Sequence, residues 1–489
     1  MSGFYIKFII FIFIIIKFIF LIQFCSEFHL LQNSDTLLHS IISTQEVTPY
    51  YWGQDQWLNF IPFIFSFVQD TELNLILITL LQFLIFFSLP FTFLKLYGIK
   101  NTYLTSILFY IIILLPTSRL YHISIITESY IIAISLSFIN LLIIKTKLKS
   151  DFKLYIKNTI SIIIFCISFK ICQPVIFLYA FHYLFYYIKE FSEFYLKDII
   201  IFLTKKIFSK EFLMFFLLVL TTFYCIQDLH NFKSIGEVIQ YRKMNIILSP
   251  GYAFKSVINL FDNYDTIYDK NKIHFIVSII SFLIFFLKIK KRVKCNSKPL
   301  IILLFSSVTN IILFSVLEWT ELNSYHPRYI LFSSVLLCLF SSVTISSIIS
   351  HSLSKGYIYY ISLFLLVICL LLTLITHNPT KPLSVTKRLK TEFFNKSRIT
   401  IDSKEVHGAI GDYWSVWPAV WINNAYGRRD YFGVSVLRTR VSLIKRKKTL
   451  LLRHYGTNNE LKHIIGRYFP KSNYSMLKID DLSYVKVEQ

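Results

Sequence analysis

Residues Asn158 to Ile188 read NTISIIIFCISFKICQPVIFLYAFHYLFYYI, and the way this stretch crosses a bilayer decides the architecture around it. It is too long for one ordinary membrane helix, which needs ~20 apolar residues, and short for two. The flanks settle the matter. Lys145, Lys147, Lys149, Lys153 and Lys157 precede it, and Lys189, Lys197, Lys205, Lys206 and Lys210 follow it. Lysine-rich loops belong on the cytoplasmic side, so both ends lie inside. The stretch is then a short helical hairpin that turns near Lys170 to Pro174.

Working outward, apolar lengths place further helices at 4–24, 73–94, 101–116, 130–144, 212–227, 274–289, 299–317, 329–349 and 356–376. With the hairpin at 158–171 and 174–188, the fold class is an all-α polytopic membrane protein of about 11 transmembrane helices. The composition agrees, being 55% hydrophobic and 18% aromatic with a mean hydropathy of +0.57. Soluble enzymes and disordered chains are excluded. The segment Phe4 to Phe24 is too long for the apolar region of a cleaved signal and reads as a retained first helix.

The net charge of +23 would by itself suggest nucleic acid or anionic lipid as a partner. Its location gives another reading. Lys95, Lys100, Lys288, Lys290, Lys291, Arg292, Lys294, Lys298 and Lys355 fall in the remaining inner loops, whereas the first outer loop, 25–72, has no Lys or Arg. That loop carries Glu27, Asp35, Glu46, Asp55, Asp70 and Glu72. The N-terminus is therefore expected inside and the tail after Thr376 outside, with membrane lipids and not nucleic acid as the surroundings. The seven cysteines show neither a disulfide framework nor a metal-thiolate spacing.

Two domains are expected. Residues 1–376 form the membrane domain, and residues 377–489 a small extracytoplasmic α/β domain. The tail alternates short apolar stretches, Ser435 to Ile444 and Thr449 to His454, with turn signals at Gly408, Gly411, Gly427, Gly433 and Gly456. Its basic runs, Arg428-Arg429 and Lys445 to Lys448, suit either a solvated face or contact with anionic headgroups.

Residues able to do chemistry gather in the outer loops. Asn33-Ser34-Asp35 opens a stretch in which Leu37, Leu38, Ile41 and Ile42 recur at helical spacing, as expected of an amphipathic helix lying on the bilayer. Asp35 stands at the depth where a lipid-linked headgroup is presented, and partial desolvation there raises a carboxylate toward general-base use. A helix N-cap is the competing role. Tyr51, Trp52, Asp55 and Trp57 follow, as an interfacial aromatic belt or as a platform for a sugar ring beside an acid.

The second outer loop contains Arg119, His122 and then Glu128, an ionisable group at the mouth of a span. It is either a site residue or a helix-start acid favoured by the dipole. Lys170 at the hairpin tip and Arg328 in His326-Pro327-Arg328-Tyr329 place cations at interfacial depth on an outer surface poor in them. Cations of this kind suit a phosphate, Arg through two parallel hydrogen bonds and Lys as a point charge, with snorkelling as the alternative.

These features together resemble the GT-C fold of integral-membrane glycosyltransferases, the group of the protein O-mannosyltransferases and the aminoarabinose transferases. The resemblance rests on a first outer loop opening with Asn33-Ser34-Asp35 and continuing to Tyr51-Trp52-Gly53-Gln54-Asp55, on Thr127-Glu128-Ser129, on a basic residue before Pro174, and on His326-Pro327-Arg328-Tyr329. It covers most of residues 1–376. It implies an inverting transfer from a polyprenyl-phosphate sugar to a glycan, lipid or protein acceptor, with Asp35 as base and Glu128 orienting the acceptor or assisting a divalent ion. It further implies Lys170 and Arg328 on the departing phosphate, and Tyr51, Trp52, Asp55 and Trp57 lining the sugar pocket. Several relatives have Asp where this chain has Glu128, which leaves metal dependence open; no cofactor is otherwise implied. The tail motif Gly411 to Trp421, GDYWSVWPAVW, is similar to segments of outer domains in such proteins, or is simply an aromatic core.

Two other classes compete. A transporter or flippase of lipid-linked sugars would favour charges near the midplane and related halves. A polysaccharide polymerase or ligase would more often place its large loop late in the chain.

Overall fold

The computed structural model describes residues 8–16, 34–45, 60–99, 102–114, 130–146, 151–186, 245–267, 273–290, 297–322, 327–376, 401–435, 448–470, 472–479 and 482–488, with isolated positions between them. Residues 8–16 are helical. The helices that follow are α1 (Ser34–Gln45), α2 (Phe60–Ile64), α3 (Thr71–Tyr97), α4 (Thr102–Leu114), α5 (Tyr130–Lys145), α6 (Asp151–Ile171) and α7 (Val175–Tyr186). After these come α8 (Pro250–Ile267), α9 (Ile273–Lys290), α10 (Ser297–Val316), α11 (Glu318–Leu322), a 3-10 turn (Pro327–Ile330), α12 (Leu331–Ser352) and α13 (Lys355–Thr376). The tail contributes β1 (Gly408–Gly411), α14 (Tyr413–Ala425), β2 (Phe432–Ser435), β3 (Thr449–Tyr455), α15 (Asn458–Tyr468), β4 (Asn473–Ile479) and β5 (Leu482–Glu488).

Among the described residues, three helices are long and apolar enough to cross a membrane, within Thr71–Tyr97, Lys298–Val316 and Leu331–Ser352, and six shorter apolar helices accompany them. The expected hairpin is present as α6 and α7 around Cys172 to Pro174. The helix expected at 212–227 lies almost wholly outside the described residues.

The described residues fall into two compact units. The first draws on 1–17, 82–226 and 242–377, the second on 18–81, 227–241 and 378–489. In the first unit α12 is central, packing against α4, α9 and α10. Polar side chains join helices of this unit: Ser333 Oγ donates to the Ser307 carbonyl at 2.9 Å, Thr105 Oγ1 to Ser346 Oγ at 2.7 Å, and, between α5 and α7, Asn140 Nδ2 to Tyr179 Oη at 2.9 Å. Small residues allow close approach, and such bonds satisfy polar groups where no water competes.

The second unit is built on a five-stranded sheet of order β2-β1-β3-β5-β4. β2, β1 and β3 run parallel; β5 is antiparallel to both β3 and β4. Alternation with period two sends side chains to two faces. One face carries Ala409, Leu451 and Tyr455 against Trp417, Val420 and Trp421 of α14. The other carries Ile410, Leu450, Leu452 and Val485 against Leu461, Ile464 and Ile465 of α15.

Gly408, Gly411 and Gly433, read from sequence as turn signals, lie in strands instead. A Cβ on Gly433 would come within 2.8 Å of the Trp417 ring, so this glycine lets the aromatic helix close onto the sheet. Gly411 has φ 135°, and a Cβ there would meet the Tyr455 carbonyl oxygen at 1.5 Å. The GDYWSVWPAVW motif forms the end of β1 and most of α14; Asp412 caps the helix by accepting from the Ser415 N–H at 3.0 Å, and Trp417 and Trp421 are fully buried. The aromatic-core reading of the motif is the one seen.

The first-loop helix α1 departs from expectation. Leu37, Leu38, Ile41 and Ile42 are indeed one apolar face, but they pack in the same core as Trp417, Trp421 and Tyr431 of the tail. Protein, not lipid, covers that face. Hydrophobic periodicity reports that a face is buried and not what buries it.

Candidate functional site

The register of the helical unit brings distant motifs to one end. Asn140 Nδ2 of α5 donates to the Ser161 carbonyl of α6 at 3.0 Å, and Lys157 Nζ reaches back to the Ile144 carbonyl at 3.0 Å. These antiparallel helices therefore set Tyr130, at the start of α5, level with Ile171, at the end of α6. Asn310 Nδ2 of α10 likewise donates to Ser333 Oγ at 2.8 Å and to the Tyr329 carbonyl at 3.2 Å, which puts the end of α10 beside the 3-10 turn. Tyr130 joins the two pairs by packing into the cluster of Tyr329, Ile330, Leu331, Leu260 and Phe275. The opposite end holds other contacts, among them Lys145 Nζ to the Leu96 carbonyl at 2.7 Å and Tyr97 Oη paired with His182 Nδ1 at 2.9 Å.

Two of the sequence motifs thus share an end by their backbone, and in sequence a third runs up to the start of α5. Lys170 occupies the last turn of α6, Arg328 lies in the 3-10 turn, and the Thr127-Glu128-Ser129 motif immediately precedes α5. The side chains of Lys170 and Arg328 are outside the described residues, as are Glu128, Arg119, His122 and His326 altogether. Tyr51, Trp52, Asp55 and Trp57 are outside them too.

Sequence reading missed several groups at this end. α8 carries Tyr252 and packs on α10 and the 3-10 turn. Burial, followed by the neighbouring Glu321, pushes the Tyr252 hydroxyl up to about 12. Glu318 accepts from Asn245 Nδ2 at 2.6 Å, next to the bridge between Ile246 and Leu317. Tyr325, just before His326-Pro327-Arg328, has φ 51°. A bulky residue in the left-handed region stores strain of ~1–3 kcal/mol, a feature that clusters at functional sites. The sequence signal for these groups is the acidic pair Glu318 and Glu321 between two apolar runs.

In the second unit, Asp35 lies in the first turn of α1, where a carboxylate is favoured by the helix dipole; its side chain is outside the described residues. The helix itself is firmly held. Ser40 Oγ donates to the Thr71 carbonyl at 2.9 Å and Ser43 Oγ to the Pro62 carbonyl at 2.8 Å. Asn424 Nδ2 donates to Thr44 Oγ1 at 2.7 Å, and Gln45 Nε2 to the Tyr431 carbonyl at 2.9 Å. Arg429 adds two bonds to Gln69, at 2.8 and 3.1 Å.

Among the described residues no group of three His, Cys, Asp or Glu converges as a metal site. The acids that the resemblance would offer to a cation, Asp35 and Glu128, have side chains outside that set.

The chain matches no protein-family model and no curated protein sequence. Among solved structures it is similar to ArnT from Cupriavidus metallidurans, a GT-C glycosyltransferase solved bound to undecaprenyl phosphate. The TM-score is 0.50 and the identity 11%, over 99% of this chain and 98% of that one. The chain has the GT-C type of fold along essentially its whole length.

Proposed function

We propose that this chain is an inverting glycosyltransferase that moves a sugar from a polyprenyl-phosphate carrier to an envelope glycan, lipid or protein acceptor at the outer face of a bacterial cytoplasmic membrane. The observation that carries this reading is the fold likeness over 99% of the chain to a protein solved with undecaprenyl phosphate. The placement of the Lys170 and Arg328 segments at one end of the helical unit, with Tyr130 packed between them, supports it.

In this reading Asp35 takes the proton from the acceptor hydroxyl, whose oxygen attacks the anomeric carbon as the bond to the carrier phosphate breaks. The carrier leaves as polyprenyl phosphate. Lys170 and Arg328 face the charge that develops on it, where fixed cations help most. Glu128 orients the acceptor or assists a divalent ion, and dialysis against a chelator distinguishes the two. Arg119, His122 and His326 contact substrate, and Tyr51, Trp52, Asp55 and Trp57 line the sugar pocket. The topology proposed with it has eleven spans, a cytoplasmic N-terminus, a membrane domain of residues 1–376 and an outer domain of residues 377–489.

Mass spectrometry of envelope glycans and glycolipids from a deletion strain tests the reading. One sugar should be missing, restored by the intact gene and not by a gene carrying Asp35→Asn. An unchanged glycan profile would overturn it.

A further inference from the structure

The helix that carries Asp35 has no fold of its own to rely on. α1 is 12 residues long, at the lower limit for an isolated helix in water, so it depends on tertiary contacts. Those contacts come largely from the other end of the sequence. Its apolar face lies against Trp417, Val420 and Trp421 of α14. Its last turn is joined by the buried hydrogen bond from Asn424 Nδ2 to Thr44 Oγ1, across 380 residues of sequence, and by the bond from Gln45 Nε2 to the Tyr431 carbonyl. Asn424 is 2% exposed and Thr44 4%, so water does not compete for this bond. α14 is fixed in turn by the Asp412 cap and by Gly433, whose missing side chain admits the Trp417 ring.

We infer that the C-terminal domain is the scaffold that positions the first-loop helix for catalysis, with Asn424 and Trp421 as positioning residues that touch no substrate. The inference rests on the reading of Asp35 as the base. An error of ~1 Å in placing a catalytic group lowers rate by ~10²-fold, so loosening the seam acts on turnover and leaves donor binding alone.

The test uses the full-length protein in membranes. Asn424→Ala and Thr44→Val each remove one side of the buried bond, whereas Thr44→Ser keeps the hydroxyl. Expected are a fall of about 10-fold in kcat with KM for the polyprenyl-phosphate sugar unchanged in the first two, near-normal turnover in the third, and faster hydrogen exchange at amides 36–45 in Asn424→Ala. Combined with Asp35→Asn, Asn424→Ala should cause no further loss, because both act through one group. Multiplied losses, or an unchanged kcat in Asn424→Ala, would overturn the inference. Normal turnover of Asp35→Asn alone would remove the base assignment; the scaffold then stands if Asn424→Ala still lowers kcat and protection together, and falls if it does not. Should Asn424→Ala fail to insert, the contrast between Thr44→Val and Thr44→Ser decides in the same way.

Discussion

The two units of this protein solve the burial of polar groups differently. The helical unit buries Ser307, Asn310, Ser333, Asn140 and Ser342 between apolar helices, with hydroxyls often returned to their own helix, as Ser342 Oγ to the Cys338 carbonyl at 2.6 Å. The α/β unit buries large and charged groups. Arg453, 3% exposed, lies over the rings of Tyr455 and Tyr484 and donates to Tyr484 Oη at 2.9 Å, while Tyr431 Oη donates to Asp402. Lipid offers little reward for burying apolar surface but penalises every unpaired polar atom. Water rewards the aromatic core and tolerates charge at its margin.

Breaking the acid side should have the largest effect. Asp35→Asn keeps the shape of the helix start, so the protein should insert normally while transfer falls at least ~10²-fold, the usual scale for losing a general base. Transfer assays on membranes with matched protein content check this; near-normal transfer would leave Asp35 only a helix-start role. Next is the cation side. Turnover of Arg328 variants should follow wild type above Lys above Gln at equal membrane levels, since Lys keeps the charge and loses the two-pronged contact. Equal turnover of all three would remove Arg328 from the site.

A smaller contrast concerns stability. Trp421→Ala should destabilise the α/β unit by about 3–5 kcal/mol, whereas Asn310→Ala in the helical unit should cost about 0.6–2 kcal/mol. Limited proteolysis of full-length protein, with cleavage sites mapped, would show the first opening 401–488 together with 34–45 and the second opening neither. The smallest effect is on pH dependence. Burial raises the Tyr431 and Tyr455 hydroxyls, so their unfolded forms lose protons first, and stability should decline as pH rises above the ordinary value near 10. Burial lowers His454, so the unfolded form takes up the proton first, and stability should also decline as pH falls below about 6.5. Melting of the α/β unit followed against pH checks both slopes, and His454→Gln should remove the acid one.

The helices of the first unit were legible because a long apolar run means little else; the expected 329–349 and the observed Leu331–Ser352 nearly coincide. α8 was not legible, because Lys255, Asn259 and Asp262 interrupt its hydropathy, and among its described residues Leu260 is the one buried hydrophobic side chain. The amphipathic face of α1 was legible as a face but not for its partner. Leu37 and Ile41 look the same under a lipid tail or under Trp421, and the partner lies some 380 residues away. The strand glycines were misread for a related reason: Gly433 is small on account of Trp417, a constraint from packing and not from a turn. Of the candidate site, the positions of Lys170 and Arg328 on the chain were readable, while the placement of their backbone at one end of the helical unit required the register of α5 with α6 and of α10 with the 3-10 turn.

The most direct measurement follows the bond that the account says is broken. Purified protein in lipid nanodiscs would be given the polyprenyl-phosphate sugars extracted from its host membranes, together with host acceptors, and free polyprenyl phosphate would be quantified by mass spectrometry. The account predicts release of polyprenyl phosphate in step with glycosylated acceptor. Intact lipid-linked sugar after prolonged incubation, with the same protein moving that lipid across the bilayer of proteoliposomes, would contradict it.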